Sequence, residues 1–332
     1  MALNLRRALA LAALCALVAG AIALGIAAGA VAFDPRAIFA ALAHPRAADQ
    51  VSTVLWALRL PRVLIAALVG AALALSGSLL QGMLRNPLVD PYLTGGSAGA
   101  AFSIAVAIAI GMPPPLYGVL AFGVALGTTL GVASLARSGR GLSPERLILA
   151  GIAVSSLFAG MTTLVILLAP NASVSLSILA WLGGSLVGHG WSDLGWAALY
   201  AAVGAILAAS VVPALNAIRV GDVRARSLGV DLERTRWIVL IAASLLTAAA
   251  VSVSGVIGFV GLIVPHVVRA FCGADTRWSI PASVPAGAGI VVVADTIART
   301  AAPPLELPIG VLLSLLGVPA FLYIALRRSR IA

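Results

Sequence analysis

Long apolar runs recur along the chain and constrain its fold more than any other feature. A helix that crosses the hydrocarbon core of a bilayer needs about 20 mostly apolar residues. Ten runs of this kind cover about residues 8–32, 62–82, 92–111, 115–136, 147–169, 194–214, 237–254, 256–271, 284–301 and 308–326. They are continuous rather than alternating, which argues against a membrane β-barrel. We therefore predict an all-α polytopic membrane protein with about ten transmembrane helices, forming a single transmembrane domain over residues 1–332.

Composition agrees with this prediction, because 61% of the residues are hydrophobic and only 10% are charged. A soluble domain needs a polar surface that such a composition cannot supply. The first run follows Arg6 and Arg7, as the apolar part of a signal peptide would. It is nevertheless longer than the roughly 7–15 apolar residues of a signal peptide. We therefore expect it to remain as the first membrane span.

Arginine carries all of the positive charge, since the chain has 21 Lys and Arg residues and none of them is lysine. Cytoplasmic loops of membrane proteins are enriched in positive charge. If the N-terminus is cytoplasmic and the ten runs alternate, sixteen arginines lie on the cytoplasmic side and five lie outside. We therefore predict that both termini are cytoplasmic. The same asymmetry accounts for the net charge of +10 without a nucleic-acid partner.

The most polar segment is Asn216–Arg236, which lies between the sixth and seventh runs. Eight of the eighteen residues from Arg219 to Arg236 are charged. On the predicted topology this segment is cytoplasmic, so it is a candidate surface for a soluble partner. The chain cannot itself be a P-loop ATPase, because the Walker A loop requires a lysine. Energy for any transport would have to come from a partner protein or from an ion gradient.

Residue sets that carry catalysis are missing from the sequence. It contains no HExxH, GxSxG or CxxC motif and only three histidines, so we expect neither an enzyme nor a metal site. Asp295 is the one acidic residue inside a predicted span, and Arg299 follows it one helical turn later. We expect an ion pair between these two side chains. An ion-coupled secondary transporter of a bulky organic substrate stays open as an alternative to an ATP-driven one.

Small residues at helical spacing mark a further expected contact. Gly123, Gly127 and Gly131 form a doubled GxxxG pattern in the fourth run. Such glycines let two membrane helices approach closely. We expect this face to pack against another helix.

Several ordered motifs resemble the FecCD-type permeases of type II ABC importers, from about Leu58 to the C-terminus. They read RLPR at Arg59–Arg62, RNPLVDP at Arg85–Pro91, GGSAGA at Gly95–Ala100, RARSLGV at Arg224–Val230, GVIGFVGLIVPH at Gly255–His266 and ELPIG at Glu306–Gly310. Permeases of this family carry ferric siderophores, haem or cobalamin. The motifs do not distinguish among these substrates. We favour an iron chelate, haem or a ferric siderophore, over cobalamin.

The resemblance implies a set of partners as well as a function. It implies a homodimer in the bacterial inner membrane, surrounded by lipid, with two cytoplasmic ATPase subunits and a periplasmic substrate-binding protein. ATP and Mg would be bound by the ATPase subunits, so no cofactor is expected in this chain. No nucleic acid is implied.

The resemblance also implies three groups of site residues. The ATPase-coupling group consists of Arg224, Ala225, Arg226, Ser227, Leu228, Gly229 and Val230. The binding-protein docking group consists of Arg59, Arg62 and Arg299, and the cytoplasmic gate consists of Asn86, Leu88 and Ser143. In the coupling group we expect Leu228 to anchor in the partner and Gly229 to permit a tight turn. Ser143 is followed by Pro144 and Glu145 rather than by small hydroxyl residues, which departs from the family pattern at the second part of the gate.

Overall fold

A computed structural model describes residues 2–29, 33–44, 49–138, 141–302 and 305–328. These residues form fourteen α-helices, joined by short turns. The helices are α1 (Ala2–Ala27), α2 (Pro35–Ala43), α3 (Gln50–Val54), α4 (Leu60–Leu84), α5 (Gly96–Ala109), α6 (Tyr117–Leu135), α7 (Pro144–Leu167), α8 (Ala172–Leu182), α9 (Trp191–Arg219), α10 (Asp222–Ser227), α11 (Leu232–Ser254), α12 (Val260–Cys272), α13 (Thr276–Thr300) and α14 (Ile309–Arg328). Between α6 and α7, β1 (Arg137–Ser138) pairs antiparallel with β2 (Gly141–Leu142). The prediction of an essentially all-helical chain is confirmed.

Seven helical segments among the described residues are long and apolar enough to cross a membrane. They are Leu5–Ala27, Gln50–Leu84, Pro114–Leu135, Pro144–Leu167, Trp191–Arg219, Leu232–Ser254 and Thr276–Thr300, and each coincides with a predicted run. The other three predicted runs coincide with the shorter apolar helices α5, α12 and α14. The membrane class of the chain is thereby confirmed, whereas the count of ten spans and the side of the termini stay predictions.

Helix α4 lies at the centre of the bundle. Pro61 lies shortly after a π-helical turn, Leu55–Arg59, that joins α3 to α4, and a mostly apolar sequence continues from Val63 to Leu84. Most of its side chains are buried, and it packs against α9, α11, α12 and α13. A helix that is apolar on all sides has no solvent-facing stripe, so it is stable only when other helices or lipid surround it.

Two close backbone contacts hold α4 to its neighbours. A Cβ atom on Gly70 would lie 2.1 Å from the carbonyl oxygen of Gly287 in α13, and one on Gly77 would lie 1.9 Å from that of Gly261 in α12. No side chain fits at these separations, so both α4 positions require glycine. Helix α4 therefore packs against α12 and α13 through small residues.

The glycine pattern of α6 does not have the role that its spacing predicts. A Cβ added at Gly123, Gly127 or Gly131 would meet no atom of the described residues within 4 Å. All three glycines are exposed on the surface of the chain. The prediction that this face packs against another helix is therefore wrong within one copy of the chain. Glycine spacing identifies a smooth helix face, but it does not show which face of the helix points into the bundle.

The eighth predicted run forms only a half-length helix. The chain leaves α11 at Gly255, which has a φ of 64°, and stays irregular until Phe259, whose φ is 69°. Helix α12 then has 13 residues and accommodates Pro265 without a break. At about 1.5 Å per residue it is shorter than the bilayer core. The shortness of this run was visible in the sequence, and the structure places its irregular part before the helix.

Candidate functional site

The coupling segment, residues 216–236, contains one short helix between two long ones. Helix α9 ends at Arg219, and Gly221, with a φ of 122°, turns the chain into α10. A second turn uses Gly229, whose φ is 79°, as expected for the residue that permits a tight turn. The carboxylate of Asp231 then accepts a hydrogen bond from the Arg234 backbone N–H at 3.0 Å and caps α11.

Burial divides α10 into an anchored face and an open face. Ala225 is fully buried and packs with Ile218 of α9 and Leu232 of α11. Val230 is partly buried and packs against this small core, whereas the other members of the predicted coupling group are exposed: Arg224, Arg226, Ser227, Leu228 and Gly229. The Leu228 side chain is 69% exposed, so an apolar group stands at the tip of a charged segment. Single exposed apolar residues are common on protein surfaces, so Leu228 is a candidate contact with a partner only together with Val220 and Val223, which are also exposed.

Two further exposed apolar residues lie in the same segment as Leu228 and were not predicted from the sequence. Val223 is 86% exposed and Val220 is 60% exposed. Both flank the conspicuous charges of the segment. The sequence does not distinguish them from buried residues, because a single apolar residue in a polar loop often packs into the core.

Asp222, in the first turn of α10, joins three parts of the chain. Its Oδ2 accepts a hydrogen bond from Nη2 of Arg236 at 2.7 Å, and its Oδ1 lies 3.3 Å from Nη2 of Arg85. Arg236 is buried, and its Nη1 donates to the carbonyl oxygen of Leu142 at 3.3 Å. These contacts cannot be predicted from the order of the charges along the chain, because residues 85, 142, 222 and 236 meet only in the folded bundle.

The predicted gate residues lie in two turns. The Asn86 side-chain oxygen accepts a hydrogen bond from the Leu88 backbone N–H at 2.9 Å, which stabilises the turn after α4. Leu88 is 52% exposed. Ser143 caps α7, donates to Oε2 of Glu145 at 2.8 Å and accepts from the Arg146 backbone N–H. The structure thus gives Ser143 a capping role, and its gating role stays a prediction.

A buried glutamine ties the first gate turn to α12. Nε2 of Gln81 lies within 3.2 Å of the carbonyl oxygens of Val89, Gly261 and Leu262, and its Oε1 accepts a hydrogen bond from Arg269. A buried amide with several partners is costly to remove. Gln81 therefore fixes the end of the gate turn against a second helix.

The three predicted docking arginines lie in one cluster, which we call the arginine cluster and which also includes Asp295 and Glu306. Arg59 donates to the carbonyl oxygens of Ile26 and Ala27 at the end of α1, each at 3.0 Å. Arg299 donates to the carbonyl oxygen of Gly25 and lies 3.3 Å from Asp295, which confirms the expected pair one turn apart.

Arg62 is the connecting member of the arginine cluster. Its Nε donates to Oδ1 of Asp295 at 2.9 Å, while Nη1 and Nη2 donate to the two carboxylate oxygens of Glu306 at 3.1 and 2.9 Å. Arg59 and Arg299 are each only 5% exposed, whereas the Glu306 side chain is 42% exposed. Glu306, which the sequence analysis did not assign, is therefore the accessible part of the cluster. Docking by these arginines stays a prediction.

Two acids between the long helices have shifted pKa values. Burial raises the pKa of Asp90 to about 6, although the Tyr92 backbone N–H donates to its carboxylate at 2.9 Å. The pKa of Asp275 is lowered, mainly because the Asn216 side-chain amide donates to its Oδ1 at 2.7 Å. Asn216 also accepts from the Thr276 backbone N–H, so the start of the coupling segment is attached to the start of α13.

A cavity of about 570 Å³ lies between α5, α7 and α8. Hydroxyl groups of Ser97, Ser155, Thr162 and Thr163 line it together with apolar side chains. Within the part of the chain that the structure describes, no group of three or more His, Cys, Asp or Glu side chains could hold a metal ion. The cavity therefore offers hydroxyl and apolar contacts.

Comparison with known proteins decides the family. The model of the FecCD transport family matches residues 15–327. The chain belongs to this family. It is 38% identical to the iron(3+)-hydroxamate import system permease protein FhuB of Bacillus subtilis over 96% of this chain and 83% of that protein. It is 41% identical to the hemin transport system permease protein HmuU of Yersinia pestis over 82% of each chain. It is also 38% identical to the cobalamin import system permease protein BtuC of Halobacterium salinarum, over 83% of this chain and 74% of that protein.

A solved structure supports this membership at the level of the fold. The chain matches a metal-chelate type ABC transporter, described in an inward-facing conformation, with a TM-score of 0.85 and 31% identity, over 96% of this chain and 98% of that one. The membrane class, the helical fold and the family therefore agree. In this FecCD family member the segment Arg224–Val230 remains the clearest candidate contact surface.

Proposed function

We propose that this chain is the transmembrane permease subunit of an ATP-driven ABC importer, which moves an iron chelate such as haem or a ferric siderophore, or cobalamin, across the bacterial inner membrane. One observation supports the coupling mechanism above all others. Helix α10 is anchored by Ala225 and presents Arg224, Arg226 and Leu228 outward, between two helices long enough to span the membrane. A chain without lysine has no Walker A loop of its own, so ATP-driven transport requires a docked ATPase.

The proposed architecture has ten spans with both termini in the cytoplasm. Seven long apolar helices support it, and the shorter helices α5, α12 and α14 supply the remaining three spans. Short helices cross or enter a membrane when the irregular backbone around them is enclosed by protein. The sixteen-to-five distribution of arginines supports this orientation.

The permease functions as a homodimer in this proposal. Helix α7 is apolar enough to cross the membrane, yet little of it is buried within one copy. Its exposed surface includes the hydroxyl residues Ser156 and Thr163, of which Thr163 donates to the carbonyl oxygen of Ala159 within the helix. A second copy facing α7 would enclose these groups beside a translocation path. Asn86, Leu88 and Ser143 would form the cytoplasmic gate of that path, and the arginine cluster would receive a periplasmic substrate-binding protein.

A secondary transporter driven by ions gains no support from the structure. Its best candidate group is Asp295, the one acid inside a predicted span. Arg62 and Arg299 contact both of its carboxylate oxygens, at 2.8 and 3.3 Å. A carboxylate engaged in ion pairs with two arginines of the same chain has a structural role that requires no ion coupling.

The coupling role is tested by a double substitution, Arg226→Asp with Leu228→Asp. Both side chains are exposed, so we expect the permease dimer to stay intact in detergent while the ATPase no longer co-purifies with it. Arg36→Asp is the control, because Arg36 is also an exposed arginine but lies on α2, on the predicted periplasmic side. Full retention of the ATPase by the double variant would refute the assignment of α10.

A further inference from the structure

A chain of charges connects the coupling helix to both predicted gate turns. Asp222 lies in the first turn of α10 and contacts Arg85 through Oδ1 and Arg236 through Oδ2, at 3.3 and 2.7 Å. Arg85 immediately precedes Asn86. Arg236 donates to the carbonyl oxygen of Leu142, which immediately precedes Ser143. One carboxylate therefore contacts one gate turn directly and the other through a single arginine.

The Asp222–Arg236 contact is more shielded from water than the Asp222–Arg85 contact, because the Arg236 side chain is 10% exposed and the Arg85 side chain is 43% exposed. The Oδ1 atom of Asp222 is inaccessible to solvent with no hydrogen-bond donor in range among the described residues. The Arg85 guanidinium is thus the cation that balances this oxygen. The Asp222–Arg236 pair therefore interacts more strongly than a pair on an open surface, and the Asp222–Arg85 pair is the weaker of the two contacts.

Both arginines that contact Asp222 belong to long helices or their ends. Arg85 ends α4 in the left-handed region, with a φ of 52°, a conformation that a residue with a side chain adopts only when its surroundings hold it there. Arg236 lies in the second turn of α11. Asp222 belongs to α10, and Ala225 of the same helix is buried against Ile218 and Leu232. A displacement of α10 therefore changes the contacts of Asp222 with Arg85 and Arg236.

We propose that Asp222 is the positioning residue that transmits movement of α10 to the gate turns at Asn86 and Ser143. This inference rests on the proposed function, since it requires an ATPase that moves α10. It adds a specific link: the Arg85–Asp222–Arg236 contacts hold the two turns in register with the coupling helix. Loss of the link uncouples the gate from ATP binding without removing the exposed residues that contact the ATPase.

A merely structural ion pair would behave differently. If the pair only stabilised the fold, its loss would lower stability, ATPase binding and gate movement together. Transmission predicts that ATPase binding and ATP hydrolysis persist while gate movement is lost. The experiment must therefore measure the gate and the ATPase separately.

The test uses spin labels at the gate of the full complex in lipid nanodiscs. Leu88→Cys carries the label in a background with Cys15→Ala and Cys272→Ala, and the distance between the labels of the two copies is measured with and without ATP and vanadate. In the parent protein we expect an ATP-dependent change of distance. In Asp222→Asn we expect the shifted population to fall about tenfold, while ATP hydrolysis and ATPase co-purification are kept.

Two further variants complete the test. Arg85→Gln breaks the same link from the other side, and we expect the same loss of movement with no further loss when it is combined with Asp222→Asn. It also decides the outcome if Asp222→Asn fails to fold. Glu233→Gln is the matched control, because Glu233 forms an exposed ion pair with Arg137 at 3.1 Å in the same region. We expect normal gate movement in this control.

The inference is overturned if gate movement persists in both link variants, or if it disappears equally in Glu233→Gln. It is also overturned if ATPase binding is lost together with gate movement in both link variants. Failure of the proposed function would look different, because the parent protein itself would then bind no ATPase and show no response to ATP.

Discussion

At the residue scale, Asp90 shows how the gate turn is joined to the rest of the bundle. It caps the short helical turn Pro91–Thr94, and the hydroxyl of Tyr92 in that turn accepts a hydrogen bond from the Ile257 backbone N–H at 2.9 Å. The carboxylate is partly buried, and its pKa is raised to about 6 from the ordinary value of 3.8. The site therefore favours the protonated acid, and a charged Asp90 opposes folding.

This shift predicts a pH-dependent gain from Asp90→Asn. The wild-type penalty is absent below pH 3.8, grows as the pH rises and is complete above about pH 6. Asparagine keeps the capping oxygen but carries no charge, so we expect the variant to raise the apparent Tm in detergent more at pH 7.5 than at pH 4.5. An equal effect at the two pH values would contradict the burial argument.

Asp275→Asn serves as the comparison of opposite sign. The pKa of Asp275 is lowered by Asn216, so its ionised form adds stability above the ordinary value of 3.8 that is lost as the pH falls. We expect this variant to lower the apparent Tm by nearly the same amount at pH 7.5 and pH 4.5, because both lie above 3.8, and to lower it less once the pH falls below 3.8.

At the element scale, hydropathy predicts the helices well and their contacts poorly. All ten apolar runs are helical wholly or in large part, because length and composition alone decide whether a segment suits the bilayer. The GxxxG pattern of α6 was misread, while the tightest contacts involve Gly70 and Gly77, which no simple pattern marks. Which helix faces meet is set by packing among distant segments. The partners of Asp222 and Arg62 could not be predicted for the same reason.

Glycine packing at α4 gives a matched pair of substitutions. In Gly77→Ala the added Cβ meets the Gly261 carbonyl oxygen, whereas in Gly127→Ala it meets nothing in the described structure. We expect Gly77→Ala to destabilise the fold by roughly 3 kcal/mol, seen as a clear drop in the apparent Tm and in the yield of folded protein. Gly127→Ala should leave the Tm of the detergent-solubilised protein unchanged. Equal values for the two variants would show that α4 does not pack as described.

At the scale of the whole molecule, the arginine cluster and the coupling segment lie at opposite ends of the proposed transport path. The sequence predicted both groups through the family resemblance, and the structure shows that their members differ in accessibility. Arg226 and Leu228 are exposed, whereas Arg59 and Arg299 are buried. A docking protein would therefore reach Glu306 and Arg62 first.

This difference predicts that Glu306 competes with the binding protein for Arg62. Both carboxylate oxygens of Glu306 occupy the guanidinium face that an incoming carboxylate would use. We expect Glu306→Gln to strengthen association with the binding protein and Arg62→Gln to weaken it, each by about tenfold, measured by surface plasmon resonance on nanodiscs. Arg36→Gln, an exposed arginine on α2, is the control. Unchanged affinity in both cluster variants would rule out docking at Arg62.

Uptake into proteoliposomes tests the central claim most directly. Permease, ATPase and binding protein are reconstituted together, and accumulation of haem, a ferric siderophore and cobalamin is measured with internal or external ATP and with an uncoupler. We predict that one of these compounds accumulates only when ATP reaches the ATPase, and that the uncoupler has no effect at constant ATP. Uptake that ignores ATP and collapses with the uncoupler would contradict the account.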